Sequence, residues 1–547
     1  MQDEIFVDSS DSKGFAAIKP TWAKEHLVSI EELSQQITDT VDVYNPATGE
    51  LVGRVTVQTP DEVDMVVQEL RTHQPAWEAL GPKARASWLR KLRNWLLDNE
   101  AHLVDEIRAE TGKPRTEAVL EVMFVCDAIN YYASRAHKYL ADERVRPHGL
   151  LTASKKLLKV YRPYPVVGIV TPWNFPLLIP GVDAVPALLA GAAVIIKPSE
   201  VTPLSTVALV RGWQEIGGPP VFAHVTGRGA TGAAVVDAVD MVQFTGSTKT
   251  GRAIAARAGE RLIPCSVELG GKDPAIVLAD ADLERAANGI TWGGLVNSGQ
   301  ACISVERVYV EAPVYDQFVS LVTKQVELLR HDTNGEEANS ADVGALATGE
   351  QVKIVVDHVD SAIALGAKTL TGGAPSKTGT FFEPTILVDV DHSMVCMREE
   401  TFGPTIPIMK VTDVDEAIRL ANDSDFGLSA TVWTKNRRKG LAIARRLEVG
   451  AVNINDAYAN LFCFGLPFGG WKGSGLGARL GGAQGIRKFC RQKGITVPRV
   501  PTMKDEILWY PYTDRRGTTA AKVLRLLTAR GSRRLSPDHR SSRQQPE

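Results

Sequence analysis

Cysteine is scarce in this chain. Six occur in 547 residues, at 126, 265, 302, 396, 463 and 490, and no two form a C-x-x-C pair. That is too few for a disulfide scaffold, and a reduced, cytoplasmic compartment is the simplest reading. Net charge is nearly absent: 62 Lys+Arg stand against 64 Asp+Glu, a formal −2. The chain as a whole therefore has no electrostatic case for nucleic acid or anionic membrane. An uninterrupted apolar span is also lacking. Between Arg162 and Lys197 the only charge is Asp183, but Pro172, Pro176, Pro180 and Pro186 break the run. A spanning helix needs about 20 mostly apolar residues with every backbone group satisfied internally. The opening MQDEIFVDSSD is acidic and has no apolar core, unlike a secretory signal. No H-E-x-x-H, G-x-S-x-G or G-x-x-x-x-G-K-[ST] occurs, so metalloprotease, hydrolase-elbow and P-loop chemistry lose sequence support. No metal site is expected.

What is present reads as globular. Hydrophobic residues make up 44% and charged residues 23%, ordinary values for a folded protein, and the length suits two large domains. Residues 1 to about 40 are polar and read as an arm. Helical spacing of apolar residues runs from Asp61 to Leu103 and again from Thr116 to Leu140. Residues 151–162 alternate in part and suggest a strand. Short apolar runs then follow at Val166–Val170, Ala193–Ile196, Val221–Val225 and Met241–Phe244, separated by helix-length segments. Such alternation is the pattern of βαβ units on a parallel sheet. A second series comprises Pro274–Leu278, a helix over 281–297, Val305–Val310, a helix from Val314 to Leu329, and Ser429–Trp433. The fold class is α/β, with two parallel-sheet domains meeting near residue 270. The tail differs: Asp514–Glu547 carries nine basic residues against three acids, a balance of +6, with Val523, Leu524 and Leu527 on one helical face. It reads either as a solvated tail or as a basic amphipathic helix touching anionic lipid.

Cys302 stands in Asn297-Ser-Gly-Gln-Ala-Cys302. A single cysteine is usually a small buried hydrophobe. Here Gly299 is expected to end the 281–297 helix, which leaves Cys302 on the connection before the Val305–Val310 strand, where sites are commonly placed. A helix C-terminus does not lower a thiol pKa from about 8.5, so activation must come from a base or a bound cation. Glu268, in Ser266-Val-Glu-Leu-Gly-Gly-Lys272, is a candidate base, and Gly270-Gly271 after it permit close backbone approach. Thr245-Gly-Ser-Thr-Lys-Thr-Gly251 joins a strand to a helix, a junction whose free N–H groups suit a pyrophosphate. Lys197-Pro-Ser-Glu200 ends another buried strand, where a lysine and a carboxylate could meet ribose hydroxyls.

Together these segments resemble the aldehyde dehydrogenase superfamily, NAD(P)-dependent and non-acylating. The likeness runs from about residue 40 to 497 and rests on Pro172-Trp-Asn-Phe-Pro176, Lys197-Pro-Ser-Glu200, Phe244-Thr-Gly-Ser247, Glu268-Leu-Gly-Gly-Lys272, Gly299-Gln-Ala-Cys302, Glu399-Glu-Thr-Phe-Gly-Pro404 and Pro467-Phe-Gly-Gly470.

The resemblance implies two Rossmann-like domains and a small β oligomerisation element. The NAD-binding domain would be 1–140 with 164–270 and the catalytic domain 271–478. Residues 141–163 and 479–500 would pair subunits into a homodimer or homotetramer, leaving 501–547 as the basic tail. It also implies that Cys302 attacks an aldehyde to give a thiohemiacetal and then a thioester, and that Glu268 activates the hydrolytic water. Asn174, with the Cys302 N–H, would hold the oxyanion, where one donor contributes roughly 3–4 kcal/mol. For NAD, with NADP as the alternative, the implied binding set is Trp173, Lys197, Ser199, Glu200, Gly246, Ser247, Gly251, Leu269, Gly270, Glu400 and Phe402. A carboxylate at Glu268 favours hydrolysis over transfer to coenzyme A. The string Cys302-Ile-Ser-Val-Glu-Arg-Val-Tyr309 looks similar to a bacterial succinate-semialdehyde-dehydrogenase-like branch. The two arginines that hold a substrate carboxylate in the best-known enzymes of that type match Val182 and Val296, so an apolar or aromatic aldehyde is expected. A non-catalytic descendant would be expected to have lost the thiol or the base, and both are present.

Overall fold

Five short strands form the parallel core of the first sheet: β1 (Val166–Val170), β2 (Ala193–Lys197), β3 (Phe222–His224), β4 (Met241–Thr245) and β5 (Cys265–Glu268). Every residue of β1, β2 and β4 is buried, as expected where helices cover both faces of a parallel sheet. The spatial order is β5-β4-β1-β2-β3, with the short strand Gly475–Leu476 antiparallel on the β5 edge. From β1 the chain winds outward first through β2 and β3, then returns to the other side for β4 and β5. The direction reverses between β1 and β4, and the crevice beyond the carboxyl ends of such a pair is the natural ligand position. This sheet, a computed structural model like the rest of the chain's coordinates, belongs to a structure describing residues 39–148, 150–331, 341–376, 379–499, 504 and 509–530.

The second sheet has seven strands. They are β6 (Asp273–Val277), β7 (Val305–Glu311), β8 (Lys368–Thr371), β9 (Thr385–Val388), β10 (Thr405–Val411), β11 (Ser429–Trp433) and β12 (Ala451–Ile454), in the order β8-β9-β10-β7-β6-β11-β12. Only β8 runs antiparallel to its neighbour. Four residues separate β5 from β6, so the two sheets are joined at the Leu269–Lys272 turn. A third sheet pairs Lys155–Pro163 with Glu143–Val145 on one side and Cys490–Pro498 on the other.

The expected helical runs divide into Pro60–Ala79, Gly81–Asp98 and Glu100–Thr111, followed by Arg115–Tyr139. Thr59 opens the first with a reciprocal capping box to Glu62 and Pro60 at its first turn. Two expectations need correction. Residues 151–153 belong to a short helix, Leu150–Ala153, and the strand starts only at Lys155. The helix expected to run to 297 ends at Leu295, because Asn297 and Ser298 take φ of 54° and 57°, outside helical geometry. The arm read for residues 1 to about 40 lies, except for its last two positions, outside the described residues.

Helix Leu178–Ala190 is buried along its whole length. Its first turn is satisfied from another helix: Glu121 Oε2 accepts from Leu177 N and Leu178 N, both at 3.0 Å. Lys113 Nζ neutralises that carboxylate at 2.7 Å and also donates to the Asn174 carbonyl at 2.8 Å. Both side chains are almost fully buried, at 2% and 0% exposure. Removing one partner strands the other charge in an apolar interior. Glu121→Ala is therefore expected to cost about 3–5 kcal/mol, and the double replacement Lys113→Met with Glu121→Leu distinctly less. Urea denaturation of both variants checks this, and equal losses would contradict it.

Candidate active site

The loop carrying Cys302 is held by polar contacts that reach across the molecule. Asn297 N donates to Glu117 Oε1 at 2.9 Å, and Asn297 Nδ2 donates to the carbonyls of Asn174 and Gln300 at 2.9 and 3.1 Å. Gln300 Nε2 returns to the Asn297 carbonyl at 3.0 Å. Gly299 follows at φ 73°, and a Cβ there would collide with the Gly403 carbonyl. Only glycine fits both the left-handed conformation and the close approach. Cys302 then faces two cavities, one on each side of its sulfur.

Glu268 ends β5 and brings Oε1 to 3.1 Å from Cys302 Sγ, so the thiol donates to the carboxylate. Its other oxygen accepts from Arg479 Nη1, and the same guanidinium bonds Asp183 with Nη2 at 3.3 Å. Enclosure pushes the Cys302 thiol far above the usual range, and the negative charges of Asp273 and Glu400 add to it. The N–H groups of Cys302 and Ile303 pull the other way. Burial, not a helix end, keeps the resting sulfur a thiol, and the Glu268 carboxylate lies within hydrogen-bond reach. Asn174 Nδ2 gives one hydrogen to the Gln300 carbonyl at 2.9 Å, which leaves its second N–H for an oxyanion beside the sulfur.

One of the two cavities is a cleft of about 290 Å³ at the switch between β1 and β4. Of the expected cofactor residues, Trp173, Gly246, Ser247, Leu269, Gly270, Glu400 and Phe402 line it, together with Asn174 and Cys302. Ser247 caps helix Thr248–Glu260, whose first N–H groups suit an anion. The Trp173 and Phe402 rings meet edge to face at 5.4 Å. Burial and the neighbouring Glu306 push the Glu400 carboxyl up to about 8. It nevertheless accepts from Gly271 N at 3.0 Å. A Cβ at Gly270 would run into the Glu400 carboxylate, and one at Gly271 into the Cys302 carbonyl. Lys197 and Glu200 lie at the end of β2, outside the lining of this cleft, and pair at 3.0 Å. Ser199 Oγ accepts from Val201 N at 3.2 Å and shapes that turn. Gly251 is a packing position, since a Cβ there would strike Leu269.

The cleft fits a dinucleotide on its own terms. Thr245 Oγ1 and Asn174 Oδ1 on its wall, and Thr171 Oγ1 just before it, are buried without a protein partner. Buried polar atoms are rarely left so, and a ligand bearing many donors and acceptors satisfies them.

Several contributors were not legible in sequence. Arg479 is 5% exposed and bonds Glu268 directly. Phe402 sits at φ 53° and is pinned by Gln351 Nε2 to its carbonyl at 3.1 Å and by its own N–H to Glu306 Oε1 at 2.9 Å. Glu306 is held in turn by Lys272 Nζ at 2.5 Å. These are ordinary charged and amide residues in unremarkable sequence. The one available signal was Asp183, the lone charge of a long apolar run. The second cavity runs from Cys302 along Leu120, Phe124, Leu178, Trp292, Phe462 and Phe468, and its wall is almost wholly apolar.

A sequence profile described as the Aldehyde dehydrogenase family matches residues 33–495. A protein of Mycolicibacterium smegmatis, provisionally named a succinate-semialdehyde dehydrogenase [NADP(+)], is 40% identical over 480 residues, covering 87% of this chain and 91% of that protein. A 4,4'-diapolycopene aldehyde oxidase of Methylomonas sp is also 40% identical, over 486 residues, 87% of this chain and 88% of the other. Among solved structures, a Mycobacterium tuberculosis aldehyde dehydrogenase complexed with NAD+ superposes with a TM-score of 0.81 at 34% identity, over 86% of this chain and 96% of that one.

The geometry makes thiol reactivity depend on the carboxylate. A thiol pKa raised above its ordinary value leaves the neutral form dominant at pH 7, and thiolate grows about tenfold per pH unit up to that pKa. With Glu268→Gln, iodoacetamide alkylation of Cys302 is expected to climb in this way from pH 7 to 10, and to be at least about tenfold slower than in the native protein at pH 7. Mass spectrometry of the Cys302 peptide measures it; identical rates at pH 7 would contradict the coupling.

Proposed function

This chain belongs to the aldehyde dehydrogenase family and is an NAD(P)-dependent oxidoreductase acting on aldehydes, and from that premise we propose the residues that perform the reaction and the aldehydes it takes. Cys302 is the nucleophile, Glu268 the general base and Asn174 the oxyanion donor. The observation that carries the assignment is the 3.1 Å contact between the Cys302 sulfur and Glu268, made where an apolar tunnel meets the cofactor cleft.

The thiol proton passes to Glu268 Oε1 as Sγ bonds the carbonyl carbon. The oxyanion of the resulting thiohemiacetal takes the unused Asn174 N–H and the Cys302 N–H. Bound NAD(P) would supply the hydride acceptor for oxidising this adduct, which leaves a Cys302 thioester. Glu268 releases the thiol proton to solvent, then draws a proton from water; the hydroxide adds to the thioester carbon, and Sγ leaves as a thiolate that takes this second proton back as the acid forms. The balance is aldehyde, water and oxidised cofactor to acid, reduced cofactor and a proton. We assign the cofactor to the residues on the cleft wall, with Lys197 and Glu200 at the adenosine end. Burial raises the Glu200 carboxyl, but the Lys197 ammonium and the further charge of Arg228 outweigh it, so the group is held below its ordinary range. A carboxylate at this place repels a 2′-phosphate, which favours NAD.

The substrate we propose is an uncharged apolar aldehyde. Among the described residues lining the tunnel, Arg479 is the one cation, and it already carries Glu268 and Asp183. Val296 stands on the tunnel wall. A semialdehyde carboxylate would enter without a counter-charge, at a cost set by its desolvation. The succinate-semialdehyde reading is favoured by the Cys302–Tyr309 string and by the names of relatives such as the one from M. smegmatis, and not by a cation free to meet a substrate carboxylate among the described residues lining the tunnel. A panel of aldehydes of varied length, with and without an ω-carboxylate, is expected to give NADH fastest with uncharged apolar members and with NAD over NADP. Cys302→Ala abolishes NADH formation and Glu268→Gln releases one burst before stalling. Best turnover of succinate semialdehyde, or steady turnover by the Cys302 variant, would overturn these assignments.

Three further readings belong here. Residues 1–140 with 164–270 form the NAD-binding domain, 271–478 the catalytic domain, 141–163 with 479–500 the oligomerisation element, and 501–547 the tail. Supporting this, buried residues of the helices between 60 and 139 share one core with the first sheet, while two other cores draw on 275–449. The edge strand Cys490–Pro498 is exposed at every position after Cys490 and leaves a row of unpaired backbone groups for a second copy, as in a homodimer or homotetramer. The enzyme works in the cytoplasm, with its tail resting on anionic lipid.

No helix among the described residues is long and apolar enough to cross a membrane. The exposed helix Asp514–Thr528 carries Arg515, Arg516, Lys522 and Arg525 and follows exposed Trp509, Tyr510 and Tyr512. Basic residues beside interfacial aromatics suit a lipid surface. The full chain is expected to co-sediment with anionic vesicles, and the 1–513 truncation to stay in solution. Equal behaviour of the two would leave a plain solvated tail.

A further inference from the structure

The buried charges that the reaction scheme leaves unused converge on one side chain. Arg479 sits just beyond the strand Gly475–Leu476, and its backbone N–H donates to the Phe468 carbonyl at 2.9 Å. Its guanidinium lies between two carboxylates. One edge meets Glu268 Oε2 through Nη1; Nε and Nη2 meet Asp183 Oδ1 and Oδ2 at 3.4 and 3.3 Å. All three side chains are nearly sealed: Arg479 is 6% exposed, Asp183 and Glu268 1% each. Asp183 projects from a helix that is otherwise apolar and completely buried. A charge in that setting persists only when paired.

We infer that Arg479 is a positioning residue for thioester hydrolysis: by holding one oxygen of Glu268 it keeps the other aimed at the Cys302 sulfur, and Asp183 holds Arg479 in place. The inference rests on the reading of Glu268 as the base. A glutamate side chain has three torsions, and apart from the Cys302 thiol itself, Arg479 is the one side chain among the described residues that bonds the Glu268 carboxylate. Two features mark the grip as directional. The planar guanidinium presents donors along several edges at fixed angles, so it can serve two carboxylates at once and orient both. The oxygen left free, Oε1, is the one at 3.1 Å from the sulfur, where water must be deprotonated once the thioester has formed. Rate depends steeply on such placement, and a displacement of about 1 Å can cost about 100-fold. Arg479 touches neither the thiol nor the aldehyde carbon, so it acts through Glu268.

A purely structural arginine would tie the segment after Gly475–Leu476 to the buried helix and do no more. The two roles separate in transient kinetics. Arg479→Gln is expected to keep the first-turnover NADH burst while kcat falls about 10- to 100-fold. Hydroxylamine, which attacks the thioester and releases a hydroxamic acid without a general base, restores turnover. Arg479→Lys, which can reach Glu268 with one donor, regains part of kcat. A structural defect would lower burst and steady state together and would not respond to hydroxylamine. Glu268→Gln measured beside them keeps the two claims apart. If it turns over normally, the base assignment falls and this inference with it. If it stalls while Arg479→Gln retains native kcat, the positioning role alone is overturned. Should Arg479→Gln fail to fold, Arg479→Lys carries the test. A lowered kcat recovered by hydroxylamine supports the role, and native kcat insensitive to hydroxylamine refutes it.

Discussion

A thiol and a carboxylate 3.1 Å apart come from two different sheets: Glu268 ends β5 of the first, and Cys302 precedes β7 of the second. The contact exists only while the two sheets abut at the Leu269–Lys272 turn. Most of the unusual local structure serves that abutment. Gly270 and Gly271 bring the turn against Glu400 and the Cys302 carbonyl, where any side chain would collide. The same junction separates the apolar tunnel from the dinucleotide-sized cleft, and Cys302 lines both.

Holding this arrangement is expensive. Asn297, Ser298 and Phe402 occupy positive φ, each at about 1–3 kcal/mol, and all three lie within the loops that shape the site. Four buried ion pairs surround it: Lys113–Glu121, Lys272–Glu306, Arg479–Glu268 and Arg479–Asp183. Buried pairs seldom add much net stability, because desolvation offsets the Coulomb attraction. What they supply is direction. Lys113 fixes the Asn174 carbonyl, Glu306 fixes the N–H groups of Thr401 and Phe402, and Arg479 fixes an oxygen of the base. Each pair sets one wall of the reacting volume.

The parallel strands were legible because unbroken apolar runs such as Val166–Val170 have no stable place other than a sheet covered on both faces. Cys302 and Glu268 could be singled out because each stands in a short string whose glycines permit a turn, whereas Asn174 entered only through the family resemblance. The helix before Cys302 was set two residues too long, to 297 instead of Leu295. A glycine commonly follows a helix C-terminus, but here the helix stops at Leu295, and the residues beyond it are held by Glu117, 180 positions away in sequence. Gly251 and Ser199, placed in the cofactor set by the family resemblance, stand against Leu269 and in a local turn. Asp183 was visible as an oddity, yet its meaning depends on Arg479, 296 positions later.

Local chemistry is written in consecutive residues. Turn type, apolar runs and the presence of a thiol and a carboxylate beside glycine turns could therefore be read directly and sufficed for fold class, while the reaction type was implied by the resemblance of those strings to a known family. Tertiary structure alone decided which charges neutralise one another, that the sulfur's burial opposes its ionisation, and that the tunnel's cation is already committed. Those outcomes depend on distances of a few ångströms between segments hundreds of residues apart. A one-dimensional pattern carries no such distances, because electrostatic pairing and desolvation are properties of the folded interior and not of the residue types that meet there.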